Sequence, residues 1–258
     1  LGDNHWKSAI TGIEPNKVLV RGYPIEELMG KISYGQTLYL LLKGELPPGN
    51  RGKIMDAILL SSIDHGPKAP SCNAAILAAS TGAPINAALC AGILSINQSH
   101  GGAIENCMRA LLDVERKMGD RNLQLRDAVK ELISEYKTRK ERIAGLGHRI
   151  HTKDPRTEKL FHLAREYGLS GKHIEILRTI EEELGSSGKG LPVNVDGAIA
   201  AILCELEIEP SLANAFFIIS RIPGMLAHVQ EERNRYKPMR VIDTEDWEYD
   251  GPSERHMV

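Results

Sequence analysis

Three of the nine histidines, His65, His100 and His148, each adjoin a glycine at a break between helical segments. Glycine permits sharp turns and close backbone approach, so each ring sits at a junction of elements with its edge free to face a cleft. Asp196 stands in Asn194-Val-Asp-Gly197 at the start of an apolar helix. There it either caps the helix or is held as a carboxylate base at a cleft rim. Arg149 and Arg156 flank Asp154-Pro155, and Arg221 follows the apolar run that begins at Phe216. A guanidinium in so apolar a setting needs an anionic partner, and a substrate carboxylate is one candidate. These groups suit a reaction that makes or breaks a C–C bond beside a thioester through an enolate. A carboxylate moves the α-proton, a neutral donor stabilises the enolate oxygen, and a second donor or base serves the neighbouring hydroxyl or carbonyl. Guanidinium forks orient a polycarboxylate. A tris-histidine metal site is the rival use of the same rings.

The elements that must position these residues read as about ten helices with one short strand candidate, Lys17–Arg21, in a segment from Ile13 to Tyr23. Ser33 with Gln36 forms a capping-box pattern, and Gly44 followed by Pro47-Pro48 ends that helix. Lys53 to Ser62 reads as a short apolar helix. Ser71 to Ser80 and Pro84 to Ile96 are Ala-rich, which lets two helices pack closely. A helix opens after His100-Gly101-Gly102 and runs to Leu112. Dense charge from Asp113 to Glu141 then suggests a solvated region and a domain boundary. Asp154-Pro155 supplies an N-cap and first helical residue. Further helices are expected over Lys172 to Leu184, from Asp196 to Leu206, and from Pro210 to about Arg235 with an interruption at Pro223-Gly224. Gly145–Gly147 and Gly185–Gly190 read as flexible loops. No βαβ alternation appears, so the expected class is all-α.

Net charge is −2, from 32 Lys+Arg against 34 Asp+Glu, so no global basic field points to nucleic acid. No run of 18 apolar residues is present and no membrane span is expected. Cys72, Cys90, Cys107 and Cys204 form no CxxC and no zinc spacing with histidine, which suggests free thiols in a reducing cytoplasm. The chain starts at Leu1 without a signal-peptide pattern, which reads as a trimmed N-terminus. With no P-loop, dinucleotide fingerprint or HExxH, no resident metal or tightly bound cofactor is expected.

Several motifs in order resemble the citrate synthase superfamily. Arg21-Gly-Tyr-Pro-Ile-Glu-Glu-Leu28 and the stretch from Tyr39 to Pro47 resemble its early segments. His100-Gly-Gly-Ala103, Gly147-His148 with Asp154-Pro-Arg156, Asn194-Val-Asp196 and Ser220-Arg221 resemble its active-site motifs. Asp64-His-Gly-Pro67 and Asn194-Val-Asp-Gly197 are most similar to stand-alone citryl-CoA lyases and to the lyase portion of ATP-citrate lyase. The short stretch between Pro48 and Ser61 points the same way. The resemblance implies a citrate synthase-like fold with a large domain (1–105 and 215–258) and a small one (106–214), in a homodimer or larger oligomer. It implies that Asp196 is the acid/base, that His100 holds the thioester carbonyl and its enolate, and that His148 serves the oxaloacetate carbonyl or citryl hydroxyl. His65, Arg156 and Arg221 would bind the dicarboxylate. Lys237, with Arg235 and Arg240 as alternatives, would complete the neighbouring subunit's site. The implied reaction is cleavage of citryl-CoA to acetyl-CoA and oxaloacetate, with coenzyme A entering only as part of substrate and product. The alternatives are a compact citrate synthase and a non-catalytic CoA- or citrate-binding regulator. A citryl-CoA synthetase is a candidate partner. Basic residues near Gly145 and in the Lys237–Arg240 segment are candidates for the CoA phosphates.

Overall fold

The computed structural model describes residues 6–147, 154–186, 188 and 190–240, so His148 and Arg149 lie outside the described residues. A small antiparallel sheet comes first: β1 (Thr11–Glu14), β2 (Lys17–Val20) and β3 (Tyr23–Pro24), in the order β1-β2-β3. Thr11 pairs with Val20 and Glu14 with Lys17. The sequence suggested one strand; the structure has three, because Asn16 takes the left-handed conformation (φ 60°) that closes a two-residue turn. Val20 of β2, Leu28 of α1 (Ile25–Leu28) and Leu40 of α2 (Tyr34–Lys43) form a satellite core. The expected capping box opens α2: Ser33 Oγ accepts from Gln36 N, and Gln36 Oε1 accepts from Ser33 N at 2.9 Å. Gly44 closes it at φ 85°.

α3 (Lys53–Ser61), α4 (Pro70–Ser80), α5 (Ile85–Leu94) and α11 (Ala213–Arg235) pack together. Small residues set the approach of α4 to α5: a Cβ on Gly92 would stand 2.7 Å from Ser71 O. α6 (Ala103–Arg121), α8 (Pro155–Glu166) and α9 (Lys172–Ser186) pack around α10 (Val195–Glu205), and α7 (Leu125–Arg139) packs on α6 and α9. α10 is buried almost throughout, and each of Ile199, Ile202 and Leu203 contributes about 1.5–3 kcal/mol by leaving water.

Three expectations need correction. α6 does not stop near Leu112 but runs on to Arg121. Its buried stripe (Cys107, Met108, Leu111, Val114) continues past Asp113, while most of the charge around it stays exposed. Lys117 is fully buried and held by Asp113 at 2.9 Å and Glu135 at 2.7 Å. α11 passes through Pro223 without a break. Proline removes a helical hydrogen bond at a cost of about 3 kcal/mol, which burial of Phe216, Phe217, Met225 and Val229 on either side offsets. α9 extends through Gly185 to Ser186. Pro210–Arg235 also contains an 18-residue window with the mean hydropathy (1.3) of a membrane span. It is a core helix of this fold, since Phe216, Met225 and even Arg221 and Glu232 are buried along it.

Candidate active site

The C-terminus of α3 organises the site. The last carbonyls of a helix have no partner within it and carry partial negative charge. Here donors from other elements satisfy them. Ser220 Oγ donates to Leu59 O, Arg156 Nη1 to Ser61 O at 3.1 Å, and Arg221 Nε to Ser62 O at 2.9 Å. Two arginines from α8 and α11 are thereby anchored at one point beside the loop that carries His65.

Asp154 shapes Arg156 further. As the N-cap of α8 it accepts from Arg156 N at 3.0 Å. Its oxygens also accept from Nε at 3.0 Å and Nη2 at 2.8 Å of the same residue. Arg221 is 3% exposed, and its guanidinium lies 4.7 Å from the centre of the Phe217 ring. Its Nη1 is buried with no hydrogen-bond partner. Such a donor costs about 1–3 kcal/mol unless something accepts from it. Burial pushes the Arg221 pKa down, yet a guanidinium remains charged at any working pH.

His100 sits in a tight turn. Asn97 N donates to His100 O and His100 N to Asn97 O, each at 2.9 Å. Gly101 follows at φ 98°, where a Cβ would meet Phe217 and Asn214 at 2.9 Å, so only glycine fits. The imidazole Nε2 hydrogen-bonds to Ser71 Oγ at 2.9 Å, and the ring meets Phe217 edge-on at 5.3 Å. Burial, reinforced by Arg221 and His65, pushes its pKa down. His100 is therefore a neutral imidazole at neutral pH, held as a hydrogen-bonding group.

Asp196 does not cap its helix. Asn194 does so, its Oδ1 accepting from Gly197 N at 3.1 Å. The Asn194 amide also donates to Gly147 O at 2.7 Å, and Asn194 N to Gly145 O at 3.1 Å. This packing needs both glycines: a Cβ on Gly197 would stand 2.3 Å from Gly145 O. The Gly145–Gly147 segment, expected as a flexible loop, is thus tied to the start of α10 next to Asp196. Relieved of capping, the Asp196 carboxyl has no hydrogen-bond partner among the described residues. Burial pushes its pKa up, against the pull of Arg156 and Arg221 and with help from Asp154.

His65, His100, Arg156, Asn194, Asp196 and Arg221 line one cavity of about 220 Å³. Five of the seven residues expected from the sequence therefore meet there. Lys237 is exposed, beyond the end of α11, and does not line it. Arg235 pairs with Glu231 at 2.6 Å and Arg240 with Glu232 at 2.8 Å. Sequence reasoning missed Ser71, Phe217 and the pinning role of Asn194. Asn194 could have been found as the better N-cap two residues ahead of Asp196; Ser71 carries no local signal. The cavity offers a neutral imidazole, a carboxyl inclined to keep its proton and a guanidinium with an open donor, as an enolate reaction on an anionic substrate requires.

Residues 49–242 match the family model described as citrate synthase, C-terminal domain, and the chain belongs to the citrate synthase family. The structure of citryl-CoA lyase from Hydrogenobacter thermophilus is 40% identical and superposes with a TM-score of 0.88, covering 98% of this chain and 97% of that one. A citrate synthase of Haloferax volcanii is 32% identical over 227 residues, 86% of this chain and 56% of its own length. ATP-citrate synthase beta chain protein 2 of Arabidopsis thaliana is 26% identical over 252 residues, 91% of this chain and 39% of its own length. The chain thus spans 39% and 56% of the length of these two curated relatives.

Proposed function

We propose that this protein is a citryl-CoA lyase, cleaving citryl-CoA to acetyl-CoA and oxaloacetate by a retro-Claisen reaction. The observation that carries the proposal is the convergence of Asp196, His100 and Arg221 on one cavity, with Arg221 Nη1 left without a hydrogen-bond partner. In the proposed mechanism a substrate carboxylate accepts from Arg221 Nη1, with Arg156 and His65 on the same anion. His148, assigned from its family motif, takes the citryl hydroxyl proton. The C–C bond breaks as the hydroxyl becomes the oxaloacetate carbonyl, and the bonding pair moves onto the thioester as an enolate. The neutral His100 imidazole faces the enolate oxygen. Asp196, whose burial favours the protonated form, gives its proton to the enolate carbon and yields acetyl-CoA. Coenzyme A takes part only as a portion of substrate and product, and no resident cofactor or metal is needed for these steps.

Likeness to a citryl-CoA lyase at 40% identity, against 32% for the haloarchaeal citrate synthase, favours cleavage over condensation. The test is to supply (3S)-citryl-CoA and follow oxaloacetate by coupled NADH oxidation; no oxaloacetate above background overturns the reading. The second reading, a compact citrate synthase, is favoured by the Haloferax volcanii relative and predicts free-thiol release from acetyl-CoA plus oxaloacetate. We further propose the two-domain division at 106–214, a cytoplasmic homo-oligomer, and Lys237 reaching a neighbouring subunit's site. The cavity supports the division, because its lining comes from the loops after α3 and α5 and from α11 on one side and from α8 and α10 on the other.

A further inference from the structure

Asp64 in the loop after α3, Cys72 in the first turn of α4 and His228 on α11 bring a carboxylate, a thiol and an imidazole to one point. None of the three lines the catalytic cavity. Asp64 Oδ1 lies 3.0 Å from His228 Nε2 and 3.6 Å from Cys72 Sγ, and one ligand atom from each residue lies within 4.8 Å of the others. A tetrahedral zinc ion with ordinary bond lengths separates an oxygen from a nitrogen ligand by about 3.3 Å and an oxygen from a sulfur ligand by about 3.5 Å. The trio therefore accepts such an ion with shifts of a few tenths of an ångström at these two pairs.

A polar or charged group already stands beside each donor, as around a metal ligand. Gly66 N donates to Asp64 Oδ2 at 3.0 Å, His228 Nδ1 faces Glu231 Oε2 at 3.8 Å, and the Arg221 guanidinium lies against the Cys72 thiol. Cys72 is buried, whereas the Asp64 side chain is 40% exposed and leaves an entry path and a fourth position for water.

We propose that Asp64, Cys72 and His228 form a binding site for one divalent transition-metal ion of the zinc type. The thiolate selects against magnesium and calcium. On binding, the Cys72 thiol proton passes to solvent, and the His228 Nε2 proton, which faces Asp64 Oδ1, moves through solvent to Nδ1 on the Glu231 side, so that Nε2 is free to bind the ion. The two anionic ligands cancel the charge of the ion, so the filled site is neutral where the empty one carries the single negative charge of Asp64. Occupancy clamps together the loop of His65, the helix that carries Ser71 and the helix that carries Arg221, and so links the metal to the cavity.

The site is independent of the proposed reaction and is tested by binding. The full chain, stripped with a chelator, is titrated with cobalt(II). One ion per chain should bind, with a near-ultraviolet thiolate-to-cobalt band that zinc abolishes. The band should persist in Cys90→Ser, whose thiol is exposed and elsewhere, and vanish in Cys72→Ser. Asp64→Asn, at an exposed position, should weaken cobalt binding at least tenfold and serves if Cys72→Ser fails to fold. No band in large cobalt excess, a band undiminished by Cys72→Ser, or unchanged affinity in Asp64→Asn would overturn the proposal.

Discussion

Replacing Asp196 by Asn keeps the size of the side chain and removes both its charge and its proton. Two effects of opposite sign follow. Turnover of citryl-CoA should fall by about 10²–10⁴-fold, the usual contribution of a positioned acid or base. That corresponds to about 3–5 kcal/mol of barrier. Stability should rise. The carboxyl is half-buried without a hydrogen-bond partner, and its folded pKa lies above the unfolded value. A group of that kind contributes stability that is fully present below the unfolded pKa, about 3.9, and is lost as pH rises through the folded pKa. The wild type therefore carries a penalty at neutral pH that Asp196→Asn lacks. For a desolvated, unpartnered group that penalty is about 1–3 kcal/mol. In a chain of this length it amounts to about 2–12 °C in Tm. Oxaloacetate release, followed through NADH, measures the first effect, and thermal unfolding of both proteins across pH measures the second. The two melting curves should converge in acid and separate as pH rises. A variant that turns over within a few-fold of wild type, or one less stable at neutral pH, refutes the reasoning.

Arg221→Gln should raise the oxaloacetate Kd by on the order of 10²-fold or more, since truncating one partner of a buried charge pair costs about 2–5 kcal/mol; calorimetric titration with oxaloacetate reads this directly. Asn194→Ala should cost about 1 kcal/mol through the lost cap and also untie Gly147. Its kcat/KM should fall further than that of a control cap variant, Ser33→Ala, of comparable stability loss. His173 sits between Glu205 at 3.2 Å and Glu115 at 3.0 Å. Burial works against its charge, but hydrogen bonds to Glu205 and Glu115 hold its pKa up, and Glu205 is pushed down to about 2. The contribution of His173 is full below about pH 6.5 and lost as pH rises through its folded pKa. His173→Ala should therefore lower Tm more at pH 6 than at pH 9, and equal losses would count against the pair.

Local chemistry made much of this protein legible from its sequence. Ser33 with Gln36, Asp154 before Pro155 and the glycines at 44, 101 and 147 act on their own neighbours, so caps and breaks could be placed without a fold. The ordered motifs around His100, Asp154, Asp196 and Arg221 were legible for the same reason and pointed to the family that the comparisons show. Boundaries that depend on distant partners were not legible: α6 continues past Asp113 because Lys117 finds Glu135 on another helix, and α11 survives Pro223 because its flanks are buried. The chemical state of the site belongs to tertiary structure alone. The Asp196 pKa is raised because neighbours from other elements bury its carboxyl without hydrogen-bonding it. Arg221 Nη1 is left without a partner while Ser62, Phe217 and Cys72 surround the rest of its guanidinium. Asp64, Cys72 and His228 meet only because α11 returns across α4. Caps and turns are decided within a few residues along the chain, whereas burial, charge and convergence sum over whatever the fold brings near.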